Sequence, residues 1–196
     1  MEIPLTSFLD FVLKSGRPKM TCAKKIKAQL EEAYDPAGDY YKRFREAVQE
    51  MHKEGLPKTE LPNLIGTLPD SKTANYQLMT AGYKKFLGNK DITWFNPVRK
   101  NWLFADLKVP VNPELGLEWD NTKYLIKLYL KSEKPSKDKV ASILALMKST
   151  LSRRDCEYAL LDVRNSKLYL YEQSMDDLIP LVEAEAQALS LILNRL

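Results

Sequence analysis

The sequence predicts an α+β fold, with N-terminal helices followed by a mostly antiparallel sheet of about five to seven strands and two covering C-terminal helices. Before residue 88, apolar residues recur at the 3.6-residue spacing of amphipathic helices. Between residues 92 and 130 the spacing changes to the alternation of half-buried strands. Two pairs of strand-like segments are joined by short polar turns, and short turns connect antiparallel strands.

Helical periodicity in the first half predicts four helices, over residues 6–15, 22–33, 37–54 and 71–87. Gly16 and Pro18 end the first of them, and Pro18 is expected to hold the following residues off a helix. Three prolines and two glycines make residues 55–70 a long connector. We therefore expect one domain over 1–196, with a possible sub-boundary at 55–70 between a helical part, 1–55, and an α+β core, 71–196.

The clearest sheet signal is the segment 107–131, which reads as two strands joined at Asp120-Asn121. This polar pair tolerates the positive φ of a tight hairpin turn. With these two residues as the loop, Glu118 faces Lys123 and Glu114 faces Lys127 on one side of the sheet. That side is predicted to be charged and solvated, and the opposite side to form core, through Leu115, Leu117, Trp119, Tyr124, Ile126, Leu128 and Leu130.

The remaining elements follow from turn and cap residues. Residues 92–95 and 102–104 are predicted to be strands around the loop 96–100. Ser136 is a suitable N-cap for a helix that runs to about residue 151. Strands at 158–163 and 167–171 are expected around Asn165-Ser166. A last helix begins after Ser174, and Pro180 predicts a kink or a separate first turn within it.

Composition excludes several classes of protein. No apolar run approaches the roughly 18 residues of a membrane helix, and the N-terminal residues lack a basic region before their apolar ones, so no membrane association and a cytoplasmic location are expected. Cys22 and Cys156 are expected to be free thiols. The chain has a single histidine, His52, seven glycines and none of the common nucleotide, zinc or hydrolase motifs. We therefore expect no metal site and no cofactor, and no catalytic motif identifies an enzyme.

A basic segment is the best candidate for binding, because it contains no acid between Asp10 and Glu31. A second candidate is the segment 95–104, which mixes aromatic and cationic residues as single-strand-binding surfaces do. The predicted contact residues are Lys14, Arg17, Lys19, Lys24, Lys25, Lys27, Arg99, Lys100 and Trp102.

Glu114, Glu118 and Lys127 are the weak candidates for catalysis. The order of elements from residue 72 to 163, a helix, three strands, a helix and a strand, resembles the core of restriction-endonuclease-like proteins. The resemblance implies an acid on the second core strand, here Glu114 or Glu118, and an acid-x-Lys element on the third, here ending at Lys127, to hold magnesium. The acid of that element is missing, since Leu125 stands two residues before Lys127.

Asp162 is a further candidate, because an acid within the apolar segment 158–163 could be buried with a raised pKa. It is expected to face Tyr169 across the turn. The commoner interpretation of such an acid is a strand-end residue paired with a nearby base.

Taken together, these patterns favour an interaction or regulatory domain that binds an acidic partner, either nucleic acid or an acidic protein surface. One alternative is a diverged or inactive restriction-endonuclease-like nuclease fold. Another is a self-associating structural protein that uses the apolar residues of 175–195.

Overall fold

A computed structural model describes residues 1–31 and 39–196 and confirms the α+β class. The α-helices of these residues are α1 (Leu5–Val12), α2 (Gly16–Glu31), α3 (Lys42–Lys53), α4 (Asp70–Leu87), α5 (Lys137–Leu151) and α6 (Ile179–Leu193). The strands are β1 (Thr93–Trp94), β2 (Lys100–Phe104), β3 (Leu107–Val111), β4 (Leu115–Trp119), β5 (Thr122–Tyr129), β6 (Glu157–Asp162) and β7 (Lys167–Leu170). Two short 3-10 helices, Leu61–Thr67 and Gln173–Leu178, complete the described structure.

The strands form two sheets rather than one. The main sheet has five strands in the order β1-β4-β5-β6-β7, and β2 pairs with β3 in a separate ribbon. Neighbours in the main sheet are antiparallel except β5 and β6, which are parallel because α5 carries the chain back between them. The expected pairing of 92–95 with 102–104 is wrong, since these segments lie in different sheets.

The β4–β5 hairpin forms with the predicted turn, but the segment 107–131 holds three strands rather than two, because β3 pairs with β2 in the separate ribbon. Asp120 and Asn121 have φ of 49° and 58°, and the register places Glu118 opposite Lys123 and Leu115 opposite Ile126. The predicted apolar face packs against α3 and α4. The opposite face is not simply a charged, solvated one, because Leu125 and Tyr129 are buried in a second core with α1, α5 and α6. The sheet is therefore covered on both sides.

Pro18 and Pro180 do not break their helices, because each lies near the start of a helix and not in its interior. Pro18 lies in the first turn of α2. The backbone N–H groups of a first turn have no acceptor within the helix, so a proline there costs no hydrogen bond. The helix α2 therefore begins at Gly16 rather than near residue 22. Pro180 lies at the start of α6, and the preceding 3-10 turn is the separate first turn that the sequence predicts. The predicted boundaries at 33 and 37 lie outside the described residues.

The β6–β7 turn is two residues longer than expected. Asp162 pairs with Lys167, not Tyr169, so residues 163–166 form the loop. The Asp162 carboxylate accepts hydrogen bonds from the backbone N–H of Asn165 at 3.3 Å and from its side-chain amide at 2.8 Å. These bonds stabilise the wider turn, as aspartates often do in loops.

The connector 55–70 is not structureless. Its 3-10 helix contacts α3 and α4, and Leu61 is buried in the core on that side. The possible boundary in this segment remains a prediction. Among the helices that the structure describes, none is long and apolar enough to cross a membrane.

Candidate functional site

The structure brings together Glu114, which directly precedes β4, and Lys127 of the neighbouring strand β5. The Lys127 Nζ lies 2.6 Å from one carboxylate oxygen of Glu114 and 3.0 Å from the carbonyl oxygen of Asn112. The second carboxylate oxygen accepts the backbone N–H of Leu128 at 2.8 Å. The two side chains are only 12% and 16% exposed. Both groups are therefore already hydrogen-bonded within the protein, in an arrangement that ties the start of β4 to the middle of β5.

The other candidate catalytic residues do not join this pair. Glu118 lies opposite Lys123, further along the hairpin. Leu125, at the position of the missing acid, is fully buried. In the part of the chain that the structure describes, no group of three or more His, Cys, Asp or Glu side chains is placed to hold a metal ion.

Asp162 is buried, with 1% of its surface exposed. The hydrogen bonds to Asn165 account for both of its carboxylate oxygens. The arrangement matches a residue that shapes the β6–β7 turn.

The predicted basic segment divides into paired and unpaired cations. Lys19 forms an ion pair with Glu185 of α6 at 2.5 Å, and Lys27 donates to the carbonyl oxygen of Leu193 at 3.3 Å. These two lysines dock α2 on α6. The exposed side chains without a hydrogen bond or ion pair to the described residues are Lys14, Arg17, Lys24 and Lys25.

The second predicted binding segment offers fewer contacts. Arg99 is exposed, whereas the Lys100 Nζ donates to the carbonyl oxygen of Leu151 at 3.3 Å. Trp102 is only 9% exposed, and its ring packs against those of Phe8 and Phe104 with centroids 5.5 Å apart in each case. An indole covered in this way has no free face for a base, so Trp102 is a core residue and not a stacking contact.

The sequence did not identify a lysine-rich cleft between α1 and the β5–α5 connection. The cleft has a volume of about 260 Å³. Asp10 projects from α1 and pairs with Lys131 at 3.2 Å and with Lys139 at 2.5 Å. The residues that line the cleft are Asp10, Leu13, Lys14, Tyr129, Glu133, Lys134, Ser136 and Lys139.

The electrostatics of this cleft favour an ionised Asp10. Partial burial opposes its ionisation, but hydrogen bonds and charges from Lys139 and Lys131 outweigh it and hold the pKa of Asp10 below its ordinary value. Burial, with the nearby charges of Glu133 and Asp10, raises the pKa of Tyr129 to about 12. The Tyr129 hydroxyl therefore keeps its proton at neutral pH. The run of lysines around Pro135 was the sequence signal for this cleft, but Asp10 is 121 residues from Lys131 and no local pattern joins them.

A larger groove of about 550 Å³ lies where the end of α5 meets the start of α6. Lys148 borders it and lies over the rings of Tyr158 and Tyr171, at 5.5 and 5.6 Å from their centroids. The hydroxyls of Ser149 and Ser152 donate to backbone carbonyls, and Asp176 opposes the cations. The groove therefore does not present a set of converging donors.

The chain's one histidine is part of the packing between α3 and α4. The Nε2 of His52 lies 2.7 Å from the hydroxyl of Tyr83, and its ring stacks on Trp94. Burial lowers the pKa of His52 to about 4 and raises that of Tyr83 well above its ordinary value. At neutral pH the imidazole is therefore uncharged and the tyrosine hydroxyl keeps its proton.

We expect the protein to lose stability through His52 as the pH falls from 6.5 to 4. The unfolded chain takes up a proton near pH 6.5, whereas the folded chain does so only near pH 4, so the free energy of unfolding decreases across this window by at most about 3 kcal/mol. Urea unfolding at a series of pH values measures this dependence. A His52→Gln variant keeps a hydrogen-bond acceptor without the titration, so its slope is shallower. Parallel curves for the two proteins would contradict the assignment.

Comparison of the chain with protein-family models, with curated proteins and with solved structures finds no match.

Proposed function

We propose that this protein is a binding module for an acidic partner, and that the partner is nucleic acid. The observation that carries the proposal is a set of four exposed cations at the α1–α2 junction and along α2 that form no hydrogen bond or ion pair with the described residues, namely Lys14, Arg17, Lys24 and Lys25. In the sequence around them, no acid occurs between Asp10 and Glu31.

The spacing on α2 suits a phosphate backbone. Arg17 and Lys24 are seven residues apart, close to two full turns, so they lie on one side of the helix about 10 Å apart. Lys25 extends the charge to the adjacent strip of the same helix. The net charge of +4 favours approach of a polyanion, and neutralising phosphates releases condensed counterions.

We expect salt-sensitive binding to labelled DNA or RNA that depends on these cations. A triple variant with Arg17→Gln, Lys24→Gln and Lys25→Gln should bind about tenfold or more weakly at low salt, and the slope of log affinity against log salt should decrease by about two to three. Fluorescence polarisation with single-stranded and double-stranded DNA and RNA across a salt series measures both quantities.

The matched control is Lys85→Gln, which removes an exposed lysine from α4 on the other side of the sheet. It should leave affinity nearly unchanged. If the protein binds an acidic polypeptide but no nucleic acid, its partner is an acidic protein surface and not nucleic acid. Association that is insensitive to salt, or equal in the triple variant and the control, would overturn it.

A diverged restriction-endonuclease-like core is the second candidate, and a specific observation favours it. The succession α4, β1, β4, β5, α5 and β6 gives the helix, three strands, helix and strand of that core, with the β2–β3 ribbon inserted after the first strand. Glu114, the residue before the second of these strands, pairs with Lys127 on the third. Since the acid two residues before Lys127 is absent, an inactive relative fits these residues better than an active nuclease.

Self-association through residues 175–195 stays a prediction. Val182, Leu189 and Leu193 are buried within the described protein, while Leu181 and Leu191 are 53% and 52% exposed. Two exposed leucines are a smaller surface than the apolar pattern suggested, and light scattering tests whether they join two chains. A cytoplasmic location is likewise an expectation from the sequence.

A further inference from the structure

We propose that the cleft between α1 and the β5–α5 connection is a binding site for a phosphoryl group. The inference does not depend on the proposed binding of nucleic acid, because a small oxyanion can occupy the cleft by itself.

The cleft carries more positive than negative side chains. Lys14, Lys134 and Lys139 line the cleft. Lys131 forms an ion pair with Asp10, which also lines it. The opposing acids are Asp10 and Glu133, so four lysines face two carboxylates. Asp10 is shared between Lys131 and Lys139, which leaves Lys14 and Lys134 exposed with no ion pair among the described residues.

Tyr129 supplies a hydrogen-bond donor that opens into the cleft. Tyr129 is only 7% exposed and lines the cleft. Its hydroxyl forms no hydrogen bond with any residue that the structure describes and is not a fully enclosed atom, so it is free to donate to a ligand in the cleft. Because its raised pKa keeps the proton, this hydroxyl is a donor for an oxyanion.

The N-terminus of α5 lies at the cleft. Ser136, which lines the cleft, is the N-cap of this 15-residue helix and accepts the backbone N–H of Lys139. The remaining free N–H groups of the first turn, together with the helix dipole, favour a negative charge at this end. Lysine ammonium groups, a hydroxyl donor and a helix N-terminus together suit the tetrahedral oxygens of phosphate.

The size of the cleft limits the ligand. Its volume of about 260 Å³ is slightly below the range of roughly 300–1,000 Å³ that is usual for drug-sized ligands. We therefore infer that the cleft holds a single phosphoryl group, either as inorganic phosphate or as the exposed end of a larger phosphorylated molecule.

The test is titration of the full chain with inorganic phosphate at low salt, followed by amide NMR, with chloride as the reference anion. Saturable shifts are expected at residues 10–14 and 129–139, which flank the cleft. Tyr129→Phe keeps the ring but removes the donor, and Lys134→Gln removes one exposed charge. Each should weaken phosphate binding by about threefold to tenfold, whereas Lys85→Gln, on α4, should leave it unchanged.

A 5′-phosphorylated dinucleotide and its unphosphorylated counterpart distinguish the two sources of the phosphoryl group. Preference for the phosphorylated form over inorganic phosphate assigns a terminal phosphate, and equal binding assigns the free ion. Shifts that do not saturate, or equal affinity in the Tyr129→Phe and Lys134→Gln variants and wild type, would overturn the inference. Phosphate binding that persists when nucleic acid does not bind would count against the proposed function alone.

Discussion

Replacing Lys127 by methionine is expected to lower the free energy of unfolding by about 2–4 kcal/mol. The variant leaves the Glu114 carboxylate, only 12% exposed, with the backbone N–H of Leu128 as its remaining hydrogen-bond donor. Removing one member of a largely buried pair costs more than the pair itself contributes, because the remaining charge stays desolvated. Urea unfolding with a fixed slope between variants measures the loss.

Two further variants separate the ion pair from general disruption. Lys123→Met makes the same change on the same strand and face, but Lys123 is 42% exposed, so its effect should stay within about 0.5 kcal/mol. The double variant Lys127→Met, Glu114→Gln should lose less free energy of unfolding than the sum of the two single variants. Glu114→Gln removes the carboxylate charge that Lys127→Met leaves without a partner, and its amide oxygen can still accept the backbone N–H of Leu128.

The same variants address the nuclease alternative. Magnesium-dependent cleavage of DNA by the wild type that disappears in a folded Lys127→Met protein would give this lysine a catalytic role. A Lys127→Met protein as stable as wild type would show that the pair does not hold β4 to β5. Glu114 and Lys127 are already hydrogen-bonded within the protein. We therefore expect a large loss of stability in Lys127→Met and no cleavage of DNA by the wild type.

The pairing of Glu114 with Lys127 could be predicted because it depends on local information. Asp120 and Asn121 fix the turn, and alternation then determines which residues face each other. The burial of the opposite face could not be predicted in this way. Leu125 and Tyr129 are covered by α1, α5 and α6, which come from distant parts of the chain.

The burial of Trp102 and the ion pairs of Asp10 could not be predicted, for the same physical reason. Trp102 resembles an exposed stacking residue when read beside Arg99 and Lys100, yet the ring of Phe8 from α1 covers it. Asp10 and Lys139 form an ion pair across 129 residues of sequence. Periodicity assigns faces to single elements, but it does not say which elements meet, so long-range partners are found only in the folded structure.

Replacing Gly82 by alanine should be about as damaging as breaking the ion pair, with an expected loss of about 3–5 kcal/mol. A Cβ at Gly82 would lie 2.0 Å from the carbonyl oxygen of Val163 and 3.0 Å from that of Arg164. Both atoms belong to the backbone of the β6–β7 turn. In the same turn, the hydroxyl of Ser166 donates a hydrogen bond to the carbonyl oxygen of Gly82 at 2.7 Å. No side-chain rotation relieves such a contact, so α4 must move away from the turn.

Gly66→Ala is the matched control, because a Cβ there meets no atom within 4 Å, and its effect should stay within about 1 kcal/mol. Urea unfolding of both variants gives the comparison, and a loss below about 1 kcal/mol for Gly82→Ala would contradict the close packing of α4. Tyr83 follows Gly82 directly, so displacement of α4 also separates its hydroxyl from His52. The dependence of stability on pH between 6.5 and 4 should therefore flatten in Gly82→Ala and persist in Gly66→Ala, which distinguishes a displaced helix from a loss of stability elsewhere in the fold.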